Sequence, residues 1–439
     1  MDATRNTINV GMLGFGTVGA GVYRVLAENA AEIGARVGRP VRISRILVKD
    51  PTKPRPLRFD RSIITCDASD ILSDPDIDIV VELIGNSHPA LEYTLQAIGN
   101  GHHVVTANKE AIAKYGDRIF QAAASSGVDV RFEGSVAGGI PIIRSIVDSL
   151  AANRVESILG IVNGTTNFIL TQMTENHTEF GDALCEAQRL GYAEANPSDD
   201  IEGYDAAYKT AILASVGFSA QVAPEMVSRE GISRIHALDI GYARDLGYVV
   251  KMVACARRRC SGLELWVRPT LVHEAHPLAS VAGAYNAVMV RGNASGDLMF
   301  SGRGAGDLPT ASAVVGDIVE IAEGIVHSRG PRTWRSAGSP APVYPNDELE
   351  SSFYIRTVVD DSPGVLASIA GVFATLGVSL QSVIQKGRKR PVDVVFITHP
   401  AKLGAVRTAV DQIKAGRFVH DVPAVIPALD DPEWRGALS

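Results

Sequence analysis

The 439-residue chain holds four cysteines, Cys66, Cys185, Cys255 and Cys260, and no two of them are spaced as Cys-x-x-Cys. That scatter supports neither a zinc site nor a disulfide framework, and it fits a reducing, cytoplasmic setting. No apolar run is long enough to span a bilayer, so no membrane partner is expected. The opening Met-Asp-Ala-Thr-Arg-Asn-Thr carries no apolar stretch of the kind a secretory signal needs. Positive charge is not in excess either: 42 Lys and Arg against 49 Asp and Glu leave a formal net charge of −7. Nucleic acid is a poor partner for such a surface, because phosphate binding needs concentrated basic charge. The basic runs at 257–259 and 386–390 are short and read as solvated turns.

What is present is the balance of a soluble globular protein, 46% apolar and 21% charged. The length exceeds one ordinary core and implies two or three domains. Residues 8–13 read as a buried strand, and Gly14-Phe15-Gly16-Thr17-Val18-Gly19 follows before a helical pattern that runs through 26. Strand-like runs recur at 41–48, 77–83, 103–106 and 128–132, with helical stretches at 89–98 and 110–125. Strand alternating with helix predicts an α/β, doubly wound parallel sheet of Rossmann type over 1–135, with right-handed crossovers. From 157 to about 266 the pattern is one apolar strand, 158–162, and then several long helices; strands return at 265–272 and 287–291. That is an α+β substrate domain over 136–306. The run 309–325 is strongly helical, and 328–350 reads as a linker. Residues 351–430 read strand, helix, strand, strand, helix, strand, which is the ferredoxin-like order.

Several runs carry chemistry. The glycines at 14, 16 and 19 follow a strand and open a helix, the context a dinucleotide site demands. Gly14 permits the tight turn, Gly16 lets backbone approach a pyrophosphate, and Gly19 lets helix pack on strand. At the end of the second strand Lys49, Lys53 and Arg55 favour the 2′-phosphate of NADP, whereas Asp50 keeps NAD open. For Lys53 and Arg55 a solvated basic loop is an equal reading. Thr106-Ala107-Asn108-Lys109 closes a core strand at its carboxyl end, where ligands of doubly wound sheets bind. A lysine at a helix start opposes the helix dipole, which favours a functional role for Lys109. The turn from Glu133 to Pro141 either holds a hard cation through carbonyls and Glu133 or packs as a plain strand-to-helix turn. Asn163-Gly164-Thr165-Thr166-Asn167 either grips a small polar substrate or bonds within itself. The stretch 191–209 gathers Glu194, Asp199, Asp200, Asp205 and Lys209 around a helix start. Asp205 and Lys209 are four apart and share one helix face. Lys209 is the candidate proton donor and Glu194 the candidate ligand of a substrate ammonium, while Asp199 or Asp200 could simply cap the helix.

Taken together, the runs 14–19, 106–109, 133–141, 163–170, 191–209 and 302–310 resemble motifs of the homoserine dehydrogenase family, in family order over nearly the whole chain. The tail resembles an ACT regulatory domain, with Asp361-Ser362-Pro363-Gly364 at a typical amino-acid effector position. The resemblance implies reversible reduction of L-aspartate 4-semialdehyde to L-homoserine on the route to threonine and methionine, with threonine as effector through the ACT tail. The cofactor preference, NADP(H) over NAD(H), rests on the basic residues after the second strand. It implies Lys209 as proton donor and Lys109 as a second essential lysine. Glu194 and Asp205 would be substrate ligands, joined by Asp200, Asn163 and Thr165. Phe15, Thr17, Val18, Ile84, Gly85, Gly191 and Gly306 would contact the cofactor beside Gly14, Gly16, Gly19 and Lys49. Glu133, Val136, Gly138 and Ile140 would hold a monovalent cation, usually sodium. The helix at 307–327 would complete the cofactor domain, and the middle domain would build a homodimer through its sheet, or part of a homotetramer. Three positions depart from the family pattern: Asn196 stands for the usual Asp, Asn86 for a common glycine and Gly134 for Ala.

Two other classes compete. One is reduction of a different amino-acid semialdehyde or keto acid on the same scaffold. The other is a non-catalytic nucleotide or amino-acid sensor, which retention of both lysines and all the carboxylates disfavours. A phosphorylating aldehyde dehydrogenase would need a thiol in a glycine-rich turn at a strand end, and none is there.

Overall fold

A computed structural model describes residues 6–55, 57–332, 334, 340–386 and 391–429. The basic turn expected at 386–390 lies, apart from Lys386, outside them. The chain forms two compact units. One is built from Met1–Ile158, Tyr208–Met226 and Asn286–Ala341, the other from Leu159–Ala207, Val227–Tyr285 and Pro342–Ser439. The helices that matter below are α1 (Thr17–Glu28), α2 (Lys109–Ser126), α3 (Gly164–Asn176), α4 (Tyr204–Phe218), α5 (Ala237–Asp245), α6 (Asp307–Val326), α7 (Val365–Thr375) and α8 (Leu403–Lys414).

In the first unit β1 (Ile8–Leu13), β2 (Val41–Leu47), β3 (Ile64–Thr65), β4 (Ile79–Glu82), β5 (His103–Thr106) and β6 (Val130–Arg131) form a parallel sheet in the order β3-β2-β1-β4-β5-β6. Every residue of β4 and β5 is buried, as strands covered by helices on both faces must be. The strand order reverses between β1 and β4, so the loops at 14–16 and 83–86 open side by side at the carboxyl edge. Helix α6 comes back to this sheet late in the chain. A Cβ on Gly21 of α1 would stand 2.7 Å from Asp307 O, and Val314, Ile318 and Ala322 share one core with Val10, Met12 and Val22.

Strand β7 (Val155–Ile161) carries the chain out of the first unit. In the second unit β8 (Ser228–Arg229) runs parallel to β10 (Gly262–His273), which pairs antiparallel with β9 (Tyr248–Arg259) along its whole length. Strand β9 corrects the sequence reading, which placed helices there: it is buried on both faces for most of its length, so it shows no polar–apolar alternation. The basic run at 257–259 is likewise a strand end and not a solvated turn. Arg259 Nε lies 2.7 Å from Glu264 Oε2, and Arg257 Nη1 lies 4.0 Å from it. Strands β11 (Tyr285–Gly292) and β12 (Gly296–Arg303) are neighbours, with β12 at a sheet edge.

The tail opens with β13 (Glu350–Ser351) and then β14 (Phe353–Val359), β15 (Leu380–Lys386) and β16 (Val392–Thr398). Strand β17 (Ala401–Lys402) pairs with β13, and β18 (Val419–Pro427) closes the sheet β15-β16-β14-β18. With α7 and α8 in the crossovers this is the expected ferredoxin-like unit. It is fastened to the rest of its unit by charge. Arg356 of β14 reaches Asp239 of α5 with Nε 2.6 Å from Oδ1 and Nη2 3.0 Å from Oδ2, and Tyr354 donates to the same carboxylate at 3.0 Å. All three side chains are buried.

Candidate active site

The first unit builds an anion cradle from β1 and α1. Gly14 has φ of +109°, and a Cβ there would stand 2.9 Å from Leu83 O; a Cβ on Gly19 would stand 2.5 Å from Gly14 O. At Gly16 a Cβ would meet nothing within 4 Å, so backbone borders open space. Gly16 is also the N-cap of α1, and no side chain caps that end. The first-turn N–H groups, those of Thr17 and Val18 among them, are therefore available to a phosphate. Phe15 packs edge-on against Phe59 at 5.1 Å, and the Arg55 guanidinium lies 5.2 Å from its ring. Asp50 is turned inward on its own loop: Oδ1 accepts from Thr52 Oγ1 at 2.6 Å and from Thr52 N at 2.8 Å. Those bonds hold its carboxyl below the usual range. Lys49 and Lys53 stand exposed beside it.

Glu82 was not singled out from the sequence, yet it organises this edge. It ends β4 with no solvent exposure. Oε1 accepts from Ile84 N at 2.6 Å and Oε2 accepts from Thr106 Oγ1 at 2.7 Å. Thr106 Oγ1 accepts from Asn108 N at 3.0 Å, and Asn108 Nδ2 donates to Ile84 O at 3.0 Å and Asn86 O at 2.8 Å. One carboxylate and one amide thus hold the loop of Ile84 and Gly85 against the loop that delivers Lys109. Asn108 Oδ1 also caps α2 by accepting from Ala111 N. Burial pushes the Glu82 carboxyl up to about 7. The signal was a lone carboxylate in Ile-Val-Val-Glu-Leu-Ile. Asn86 has φ of +71°, a conformation that glycine takes freely and asparagine tolerates better than most. Its departure from the family pattern is accommodated there.

Lys109 is half-buried at the start of α2. Lys209 on α4 is only 9% exposed, so it is withdrawn from bulk water. The two helices are tied together by Lys114, whose Nζ lies 2.7 Å from Glu110 Oε1 and 5.4 Å from the Tyr208 ring centroid. Those contacts raise the Lys114 pKa.

The turn at 133–141 uses its carboxylate on itself. Glu133 Oε1 accepts from Ile143 N and Oε2 from Arg144 N, both at 2.8 Å, although burial still pushes the group up. Ala137 and Gly138 both have positive φ, +55° and +50°. A Cβ on Gly138 would stand 2.7 Å from Gly304 O, and Asn286, fully buried against Gly304, has no hydrogen-bond partner for either side-chain polar atom. Val136 and Ile140 are buried within this turn, and Gly306, two residues after Gly304, has φ of +122°.

In the second unit Asn163 is the centre. It caps α3, its Oδ1 accepting from Thr166 N at 2.8 Å, while Nδ2 donates to Asp200 Oδ1 at 2.7 Å and to Asp205 Oδ2 at 2.8 Å. Asn163 and Asp205 are both buried. The sequence reading of 163–167 left a choice between an internally bonded turn and a substrate grip; the structure brings this run together with two of the acidic candidates. Thr165 Oγ1 donates to Tyr192 O at 2.7 Å and so holds the loop that begins at Gly191 (φ +78°). Glu194 is exposed on that loop. Asn196 Oδ1 accepts from Ser198 Oγ at 2.7 Å, a turn bond that the family's usual Asp would make equally well.

Comparisons with known proteins agree along the chain. The family described as "Homoserine dehydrogenase" matches residues 141–319, and "Homoserine dehydrogenase, NAD binding domain" matches 14–133. The relative from Synechocystis sp., named homoserine dehydrogenase, is 43% identical over 434 residues, covering 96% of this chain and all of that protein. The chain belongs to the homoserine dehydrogenase family. A homoserine dehydrogenase from Thiobacillus denitrificans, solved by crystallography, is 43% identical with a TM-score of 0.90, covering 97% of this chain and 98% of the other. A hyperthermophilic archaeal homoserine dehydrogenase in complex with NADPH is 29% identical with a TM-score of 0.61, covering 72% of this chain and 97% of that one. Residues 353–415 match the ACT domain. Membership makes the chain an NAD(P)-dependent oxidoreductase with a regulatory tail. Among the described residues no helix is long and apolar enough to cross a membrane, and no three or more His, Cys, Asp or Glu side chains gather as a metal site.

Proposed function

We propose that this protein interconverts L-aspartate 4-semialdehyde and L-homoserine, with NADP(H) preferred. The observation that carries the reading is the Asn163 fork, a buried amide that holds Asp200 and Asp205 at the start of the helix carrying Lys209. Asp205 and Glu194 are the groups for the substrate ammonium, and Thr165 sets the loop on which Glu194 stands. A nicotinamide nucleotide, when bound, supplies or accepts the hydride at the substrate carbon. Lys209 gives its proton to the oxygen that becomes the hydroxyl, and takes one back in the reverse direction. Lys109 adds positive charge toward the same oxygen, where exclusion of water makes that charge most effective. The cofactor's pyrophosphate belongs on the 14–19 cradle. The 2′-phosphate belongs near Lys49 and Arg55, since Asp50 is already engaged by Thr52.

A monovalent cation, sodium by family resemblance, fits the turn at Glu133, Val136, Gly138 and Ile140 through carbonyl oxygens. The Glu133 carboxylate is occupied by backbone N–H groups, while the buried, unbonded Asn286 amide marks polar capacity close by. An amino-acid effector, threonine, belongs at the Asp361–Gly364 turn of the ACT domain; Gln385 Nε2 donates to Asp361 Oδ1 there at 3.3 Å. The edge strand β12, with Met299 exposed, supports a homodimer or homotetramer, because exposed edges are usually covered. The free, exposed cysteines Cys66, Cys185 and Cys260 fit a cytoplasmic location. The test is a spectrophotometric assay with homoserine and each nicotinamide nucleotide. Turnover with homoserine, faster at low NADP than at equal NAD, is expected; turnover only with a different hydroxy amino acid or none at all refutes the reading.

A further inference from the structure

Strand β10 is buried on both faces, yet one of those faces is polar. Glu264, Trp266, Arg268 and Thr270 alternate along the strand and so project to the same side. They floor a cavity of about 50 Å³ within the second unit, roofed by Glu350 and Ser351 of β13 and by residues 427–429 at the end of β18. Glu264 is satisfied: Arg259 Nε and Trp266 Nε1 each donate to it at 2.7 Å. Arg268 is not. It is 8% exposed, its Nη2 has no hydrogen-bond partner, and no carboxylate of the described residues pairs with it within 4 Å. The Trp266 ring, with its centroid 4.5 Å from the guanidinium carbon, covers one face and offers no acceptor. Glu230 and Glu264 act on Arg268 only through space, Arg407 opposes them, and burial lowers its pKa. A buried guanidinium without a bonded anion is costly, so the cavity is built for an acceptor that the fold does not supply.

We propose that this cavity binds a small carboxylate, seated on Arg268 at the junction of β10 with the ACT sheet. Arginine's planar fork matches a carboxylate. A water needs roughly 10–15 Å³ of such space, so the cavity takes about three to five heavy atoms, the size of acetate or glycine and not of a nucleotide. Its lining does not include the Asp361–Gly364 turn, so this is a second ligand position on the regulatory half of the molecule. The inference does not depend on the proposed reaction, because its test reads binding without turnover.

The full chain is titrated with acetate, glycine and methylamine and followed by saturation-transfer NMR. Saturable acetate and glycine binding with a dissociation constant on the order of 1 mM is expected, and none for methylamine. Arg268→Met, checked for folding by its thermal transition, should weaken acetate at least about tenfold. Should that variant fail to fold, Glu350→Gln removes an exposed negative charge at the rim and should tighten acetate about twofold. Absence of saturable acetate binding to the native chain overturns the site. So does equal binding of methylamine, unchanged affinity in a folded Arg268→Met, or, where that variant does not fold, unchanged affinity in Glu350→Gln.

Discussion

Glu82 joins structure and chemistry through a single proton. In the unfolded chain its carboxyl ionises near 4.5, and in the fold near 7. The folded state therefore binds the proton more tightly, and this group's contribution to stability is fully present below about 4.5. It is lost as pH rises through 7, by about 3 kcal/mol in all. Glutamine at this position keeps an acceptor for Ile84 N and does not titrate. In urea unfolding, the stability of Glu82→Gln relative to the native chain should move in the variant's favour by about 2–3 kcal/mol between pH 5 and pH 8. A difference that stays constant over that range contradicts the assignment. The lysines and the acids of 191–209 were legible as residues because each stood in a recognisable run. Glu82 and Arg268 were not, because their importance lies in burial and in partners brought from far along the chain.

At the scale of elements, the parallel sheet was legible because each strand is a short apolar run between helical periods. Strand β9 escaped because burial on both faces erases the two-residue alternation, and β3, β13 and β17, two residues each, are too short to show any. The tail could be read strand by strand, since its turns at 360–364 and its helices interrupt cleanly. The loop after β2 makes a sharper demand, because its acidic residue is spent on Thr52 while Lys49 and Lys53 stand exposed and Arg55 is held by the carbonyls of Asp50 and Lys53. Replacing Lys49 and Arg55 together by Ala should raise KM for NADPH about ten- to a hundredfold and leave KM for NADH within about threefold. Equal losses for both cofactors would place these cations outside the 2′-phosphate site.

For the whole molecule, the family match fixes what kind of enzyme this is, and the ACT tail adds a regulatory half that shares its unit with the Asn163 fork. The Arg356–Asp239 pair joins the ACT sheet to α5 without exposing either charge. If threonine acts through the 361–364 turn, Asp361→Ala should raise its inhibition constant at least about tenfold with uninhibited turnover unchanged. Inhibition that survives the substitution unchanged would move the effector elsewhere. The central claim is that the buried ammonium of Lys209 moves the proton. The direct measurement is kcat for homoserine oxidation by Lys209→Ala, beside NADPH affinity measured by fluorescence titration. The account predicts a loss of about a hundred- to ten-thousandfold in kcat with NADPH affinity within about threefold. Turnover within a few-fold of the native chain would contradict it.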